Sequence, residues 1–443
     1  MGFNKKFVLL LVLPLACLSL FIINAEGFVS AQIGTHVNNV MSKDTTWKQI
    51  YSPYILDGPI LITSGVTLTV EAGVTVHLND YYIQVNGTFV AVGTNTNPIY
   101  FDSGGITFTA TSTSWNEQTE RGSIIENAIF SSSSNNAIIA IKNSSPKIAN
   151  NVNVSTIDID GGSPIILGQK NSPNIQVEAG TPQIEGNEIW VLSIGGSPII
   201  SSNIINYGVR TNPYADSSEG SPKINNNTIS LAAGGWNDGA AINLGFEKGT
   251  MVISNNNITG LTAPEVGRPE GPLYTSYGIV VAGNALISNN VISGCTVASI
   301  KLIGGIGTPN VQIQNNTLSG TGIIVDEEAH VTIKQNNIEG GVNLTVNAPN
   351  DVDASQNWWG TTDQKAISRM IHDFKNDFNL GNVTFIPFLT APNLQAIPDY
   401  NASIPTVKPT STPAVPEFSV LIVPSLLIAS FALALRLRRK NNT

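Results

Sequence analysis

The chain has 443 residues, a formal net charge of −9 and 12% charged residues, a charged share that is about half the usual one. The low content of charged residues and the negative net charge argue against a nucleic-acid partner, because phosphate binding needs a basic patch. Abundant Gly, Asn, Ser, Thr and Ile favour short strands and tight turns over helices.

The N-terminus has the pattern of a secretory signal peptide, residues 1–31. Two lysines precede an apolar stretch, residues 7–23, and small residues permit cleavage after Ala25 or Ala31. An uncleaved anchor helix is the alternative. Cleavage would leave Cys295 as the one cysteine of the mature sequence, so no internal disulfide is expected.

A repeat of the form I-x-x-N-x-I fills the middle of the chain, as in "VISNNNITG" (252–260) and "LISNNVISG" (286–294). Apolar residues alternate within each copy, which predicts strands. Copies recur at 16 to 36 residues, and such a period indicates a solenoid. We expect the asparagine to adopt the left-handed backbone conformation of a turn and to form an amide ladder between coils. The asparagines that fit the motif, two of them loosely, are Asn151, Asn187, Asn203, Asn227, Asn256, Asn290, Asn316, Asn336 and Asn357.

Residues 57–390 resemble the right-handed parallel β-helix repeats of the pectin-lyase-like superfamily. The resemblance is to its NosD-like branch, also described as carbohydrate-binding and sugar-hydrolase β-helices. The stretch "SPYILDGPILITSGVTLTVEAGVTVHL" is similar to the first coil of such proteins, and "NWWGTTDQ" is similar to the start of their closing segment. The resemblance implies an all-β fold, a right-handed parallel β-helix. It leaves the activity open, because the superfamily holds lyases, hydrolases, adhesins and scaffolds.

Both ends of an open β-helix need caps. Residues 32–56 are expected to form the N-terminal cap and residues 357–390 the C-terminal cap, in which Trp358 and Trp359 cover the last coil. A ligand-binding role is the alternative for this tryptophan pair. Helical spacing predicts a short capping helix built on Ala366, Ile367, Met370, Ile371, Phe374 and Phe378.

Few residues suggest catalysis. Enzymes of this fold place several carboxylates on one strand face, and here Asp158 and Asp160 are the best such pair. Alone they are too few for calcium, which needs about six oxygen ligands. The histidines have no metal-ligand spacing. We therefore predict no metal and no cofactor, with calcium required only if the chain is an enzyme.

Three insertions interrupt the repeats, at residues 206–220, 231–249 and 260–278. They follow successive copies of the motif, so we expect them to emerge on one side of the solenoid. Aromatic rings with polar neighbours suit sugar rings or partner proteins, although these aromatics could simply pack the loops down. The predicted ligand-binding residues are Tyr214, Trp236, Asp238, Arg268, Tyr274 and Tyr277.

The C-terminus reads as a surface anchor. A Pro/Thr-rich linker, residues 391–417, precedes an apolar helix, residues 418–435, long enough to cross a membrane, and a basic cytoplasmic tail, residues 436–443. "PEF" at 416–418 resembles the archaeal PEF-type sorting signal, which implies that the helix is replaced by a lipid anchor. The predicted glycosylation sites are Asn86, Asn382 and Asn401.

These features predict a non-catalytic protein on the outer face of the cell membrane. It would bind a polysaccharide or an envelope glycoprotein through residues 206–278. An extracellular polysaccharide lyase or glycoside hydrolase is the alternative, and a passive surface stalk is the third possibility.

Overall fold

The computed structural model describes residues 34–131, 138–171, 173–231, 239–260, 276–305, 307–339 and 344–399. These residues form three sheets in which every pairing between strands is parallel. The first sheet contains β1 (Thr35–Met41), β3 (Tyr54–Ile62), β5 (Thr75–His77), β6 (Tyr82–Val85), β8 (Ile99–Phe101), β9 (Gly105–Phe108), β11 (Ala128–Phe130), β12 (Ile138–Lys142), β14 (Thr156–Asp160), β16 (Asn174–Ala179), β19 (Leu192–Ile194), β22 (Val209–Thr211), β25 (Ala240–Gly245), β28 (Tyr277–Ala282), β31 (Ala298–Leu302), β34 (Gly322–Val325), β37 (Leu344–Val346) and β39 (Ile371–His372).

The other two sheets have shorter strands. The second sheet contains β2 (Thr45–Trp47), β4 (Thr67–Val70), β7 (Thr88–Val92), β10 (Ile124–Glu126), β13 (Lys147–Ala149), β15 (Ile165–Leu167), β17 (Gln183–Glu185), β20 (Ile199–Ser201), β23 (Lys223–Asn225), β26 (Met251–Ser254), β29 (Ala285–Ser288), β32 (Asn310–Gln314), β35 (His330–Lys334), β38 (Val352–Asp353) and β40 (Val383–Thr384). The third sheet contains β18 (Glu188–Ile189), β21 (Ile204–Ile205), β24 (Thr228–Ser230), β27 (Asn257–Thr259), β30 (Val291–Ser293), β33 (Thr317–Ser319) and β36 (Asn337–Glu339).

From β16 to β37 the chain visits the three sheets in turn, so each circuit is one coil. Strands β25, β26 and β27 lie in the first, second and third sheets, and β28 returns to the first sheet beside β25. This connectivity is that of a parallel β-helix, as the repeat predicts. Strand β3 is long enough to pair with β5 at its start and with β6 at its end.

Isoleucine fills the interior, and like side chains stack on like. In the second sheet, ten isoleucines from successive coils lie in register and are fully buried. Branched side chains at each level pack on the level below, so burial rather than disulfides stabilises the fold. The stacked residues are Ile125, Ile148, Ile166, Ile184, Ile200, Ile224, Ile253, Ile287, Ile313 and Ile333.

The predicted amide ladder is present at the corner between the second and third sheets. From Asn187 to Asn357, each Nδ2 donates to the Oδ1 of the next asparagine at 2.9 to 3.0 Å. The predicted backbone role was wrong, however. The left-handed residue is the one before the ladder asparagine, such as Asn226 (φ 57°), Asn255 (φ 55°) or Asn289 (φ 56°). The turn and the ladder thus need different residues, which explains the paired asparagines of the motif.

The N-terminal boundary needs a correction. Residues 34–56, predicted as a separate cap, already contain β1 and β2, which pair with β3 and β4 as an ordinary coil. Inward-facing Trp47 and Tyr54 stack there with ring centres 4.9 Å apart, and both are buried. Alternation of inward and outward residues therefore begins earlier than the repeat suggests.

The helix of the C-terminal cap is shorter than predicted. Helix α1 covers only Gln364–Arg369 and buries Ile367. The buried carboxylate of Asp373 accepts hydrogen bonds from the backbone N–H groups of Lys375 and Val383, which holds a turn where the helix was expected. Phe374 and Phe378 are consequently exposed. Trp359, one of the two tryptophans predicted to cover the last coil, is buried and only 2% exposed.

Residues 389–399, here called the corner strap, run back along the asparagine corner. Leu389 N donates to Asn357 O at 2.9 Å, and Asp399 N donates to Asn255 Oδ1 at 2.9 Å. The strap therefore crosses four coil steps, about 19 Å at ~4.8 Å each. Composition assigned residues 391–399 to the linker, but their backbone is bound to the β-helix.

No helix among the described residues is long and apolar enough to span a membrane. The predicted signal peptide, the 418–435 helix and the basic tail lie outside the described residues.

Candidate functional site

The three insertions do not share one corner. Residues 212–222 join β22 of the first sheet to β23 of the second sheet. Residues 231–239 and 260–276 instead join the third sheet to β25 and β28 of the first sheet. The motif marks only the corner between the second and third sheets, so it cannot tell on which of the other two corners an insertion lies. All three insertions nevertheless border the first sheet.

Two of the predicted ligand-binding residues can be placed. Tyr214 is 80% exposed, at the corner between the first and second sheets. Tyr277 begins β28, and its ring centre lies 5.4 Å from Lys301 Nζ, which also pairs with Asp326 at 2.8 Å. Phe246, from the second insertion, is buried in the core. The structure does not bring Tyr214 and Tyr277 together at one corner. Trp236, Asp238, Arg268 and Tyr274 lie outside the described residues.

An aromatic pair lies at the corner between the third and first sheets. Trp190 follows β18, and Tyr207 follows β21 in the next coil. Their ring centres are 3.9 Å apart with the planes tilted by 39°. Tyr207 N donates to Trp190 O at 2.8 Å, so the backbone ladder fixes the pair. Trp190 is 44% exposed, so a ligand can reach the indole.

A polar column runs along the outer face of the first sheet beside this pair. Asp158, Gln176, Ser193, Arg210 and Asn243 are in register on five successive strands. Arg210 Nε donates to Ser193 Oγ at 2.9 Å, which holds the guanidinium along the sheet. A fixed guanidinium offers several N–H donors to hydroxyl or carboxylate oxygens.

The aromatic pair and the polar column meet in the same two coils. Ser193 comes three residues after Trp190, and Arg210 comes three residues after Tyr207. Stacking surface and hydrogen-bond donors thus lie side by side, and their backbones belong to strands or to tight corners. We call Trp190, Tyr207 and Arg210, together with the buried Ser193 that accepts the Arg210 hydrogen bond, the aromatic–polar surface.

Asp158 and Asp160 share the outer face of β14. Burial raises the pKa of the Asp158 carboxyl above its usual value. In register, Asp158 has Ala140 and Gln176 as neighbours, and neither is a carboxylate. The two neighbouring strands therefore place no carboxylate in register with Asp158. Within the described ranges, no group of three or more His, Cys, Asp or Glu side chains is placed to hold a metal ion.

The predicted glycosylation sites differ in accessibility. Asn86 Oδ1 accepts a hydrogen bond from Thr109 Oγ1 at 2.8 Å and is partly covered. Asn382 is exposed, and Asn401 lies outside the described residues. Asn257, a sequon asparagine inside the motif, is exposed on the outer face of β27. It is therefore as accessible as Asn382.

Sequence reasoning singled out neither Trp190 nor Tyr207. A signal was available, because each aromatic comes three or four residues after a ladder asparagine, Asn187 and Asn203, in consecutive copies. No family model, curated protein or solved structure matches this chain.

Proposed function

We propose that this chain is a non-catalytic protein of the cell surface that binds glycan chains along the first sheet. We assign it to the right-handed β-helices of the pectin-lyase-like superfamily, NosD-like branch. The archaeal PEF-type signal after residue 415, or the 418–435 helix itself, would hold it at the outer face of the membrane. An envelope polysaccharide or glycoprotein is then the partner within reach.

The pairing of the exposed Trp190 with the half-buried Tyr207 is the observation that supports this proposal. Pyranose rings present C–H groups on their faces and hydroxyls at their rims, so they stack on aromatic rings while their hydroxyls meet polar groups. The aromatic–polar surface offers both, with Arg210 in the coil of Tyr207. In the next two coils, the insertions after β24 and β27 begin at the same corner.

The rigid backbone of the aromatic–polar surface also favours ligand binding. The main chain under both rings is fixed by backbone hydrogen bonds, Trp190 N to Pro173 O at 3.1 Å and Tyr207 N to Trp190 O at 2.8 Å. A preformed surface loses little conformational entropy on binding. A repeating ligand also suits a repeating surface, because polysaccharide and coils both extend in one dimension.

Retention on a panel of immobilised polysaccharides tests the proposal. The full-length chain should be retained on at least one of them without releasing reducing or unsaturated ends. Replacing the pair, in Trp190→Ala/Tyr207→Ala, should weaken retention.

The matched control is Phe374→Ala/Phe378→Ala, because that pair is also exposed, with ring centres 5.3 Å apart, but lies in the C-terminal cap. Equal retention of both double variants would refute the proposal. Release of new chain ends would instead identify an enzyme.

A further inference from the structure

A second candidate site lies on the outer face of the second sheet. Residues 109–123, between β9 and β10, lie over this sheet and line one side of an open cleft of about 740 Å³. The volume is in the range of pockets that hold small organic ligands. We call it the Trp115 cleft. Its lining residues include Thr88, Val90, Trp115, Arg121, Glu126 and Lys147.

Backbone hydrogen bonds hold residues 109–123, which form the wall of the cleft. Thr113 N donates to Gly87 O and Trp115 N donates to Ser145 O, both at 2.8 Å. Asn116 and Arg121 exchange two backbone hydrogen bonds and close a small hairpin. The cleft is therefore preformed, so a ligand need not order the wall.

The backbone conformation and close packing at position 122 require a glycine. Its φ is +124°, and a Cβ atom there would lie 2.1 Å from the Ser114 carbonyl oxygen. Glycine therefore permits the close approach of the two backbone segments of the hairpin.

The indole of Trp115 is fixed by two charged groups. Its Nε1 donates to Glu117 Oε1 at 2.9 Å, and Lys147 Nζ lies 5.1 Å from the ring centre. Lys147 and Glu117 also pair with each other at 3.4 Å. Below the wall, Ile124 faces outward from β10 yet is only 4% exposed. The cleft thus combines an oriented aromatic ring, an apolar floor and threonine hydroxyls.

The charges of the cleft favour a neutral ligand. Lys147 is neutralised by Glu117, which leaves Glu120, Arg121 and Glu126 on the rim with mixed signs. An anionic polymer would face carboxylates, and a cationic one would face Arg121. Sugar hydroxyls can both donate to the carboxylates and accept from the guanidinium.

From this geometry we propose that the Trp115 cleft is a second carbohydrate site, which takes a short stretch of a neutral glycan. It spans β4 to β13 on the second sheet, whereas Trp190 and Tyr207 lie at least two coil steps further along, or about 10 Å, at another corner. Two glycan chains can then be held at once. Binding at the cleft stands without the proposed function, but holding two chains rests on it.

Isothermal titration of the full-length chain with short neutral oligosaccharides tests this inference. Wild type should bind two oligosaccharides per chain. Trp115→Ala and Trp190→Ala should each bind one, and the double variant should bind none, with the affinity of a lost site falling at least about tenfold. Phe378→Ala should match wild type.

The outcomes separate the two proposals. Unchanged stoichiometry in Trp115→Ala with one site lost in Trp190→Ala overturns the cleft and leaves the proposed function standing. The reverse pattern retains the cleft and refutes the aromatic–polar surface. If Trp115→Ala fails to fold, Arg121→Ala on the exposed rim replaces it, and undiminished affinity at the cleft in that variant overturns the inference.

Discussion

Asn256 donates a hydrogen bond from its Nδ2 to Asn290 Oδ1 at 3.0 Å, and both side chains are fully buried. The same Nδ2 donates to Ile224 O at 2.9 Å, one coil back. One amide therefore bridges three coils. A buried amide is costly unless it is paired, and the ladder pairs every member between its two ends with both of its neighbours.

Replacing Asn256 with alanine should lower stability by about 3 kcal/mol or more. The change leaves Ile224 O without its side-chain donor, and Asn227 N loses its acceptor. Buried groups left unpaired cost ~1–3 kcal/mol each. The midpoint of guanidinium unfolding measures the loss.

Asn257→Ala provides the control, because Asn257 is adjacent but exposed. Its effect should stay within about 0.5 kcal/mol, as for other surface substitutions. Similar losses in the two variants would show that the ladder contributes no more than strand propensity.

Gln169 occupies the ladder position in one coil, and its longer side chain does not fit. Its Nε2 reaches Ile148 O at 2.9 Å, but its Oε1 is one of three buried side-chain atoms without a partner in the described part of the chain. Gln169→Asn should complete the ladder between Asn151 and Asn187 and stabilise the fold by ~1 kcal/mol. A lower unfolding midpoint in this variant would argue against the ladder's geometry.

The fold was predictable because one period controls both burial and turns. Alternation of isoleucine with polar residues identified the strands, and the asparagine marked one corner of each coil. The role of Asn255 and its counterparts was not predictable, because the left-handed residue and the ladder residue are adjacent and often both asparagine. The ladder position of Gln169 was not predictable either, because a glutamine stands there in place of the motif asparagine.

The site was less predictable than the scaffold. Trp190 and Tyr207 are 17 residues apart, and only the coil register makes them touch. Trp115 comes from a segment between β9 and β10 that carries no repeat, so nothing in the spacing relates it to Lys147. Contacts between coils depend on insertion lengths, which the motif does not encode.

Cys295 should report on unfolding of the middle coils. Burial raises the pKa of its thiol to about 11. Because the thiolate is the reactive form, only about one thiol in a thousand is ionised at pH 8, and the rate should rise as the pH increases. Alkylation at Cys295, followed by peptide mass spectrometry, should be slow in buffer and fast in denaturant. Rapid labelling of the folded chain at pH 8 would contradict this burial.

The corner strap should depend on Asn393. Its N–H donates to Asn337 Oδ1 at 2.7 Å, and its Nδ2 donates to Gln335 O at 2.7 Å. Asn393→Ala should release residues 389–399 and increase their proteolysis several-fold, because local opening loses these bonds. Gln395→Ala, at an exposed position of the same strap, should leave cleavage unchanged. Equal cleavage of the two variants would assign the attachment to other contacts.

Hydroxyl-radical footprinting of the full-length chain, with and without a retained polysaccharide, tests glycan binding at the aromatic–polar surface most directly. Trp190 and Tyr207 should be protected by the ligand, while Phe378, 81% exposed in the C-terminal cap, should be oxidised at the same rate in both samples. Oxidation of Trp190 at an unchanged rate in the saturated complex would contradict the account.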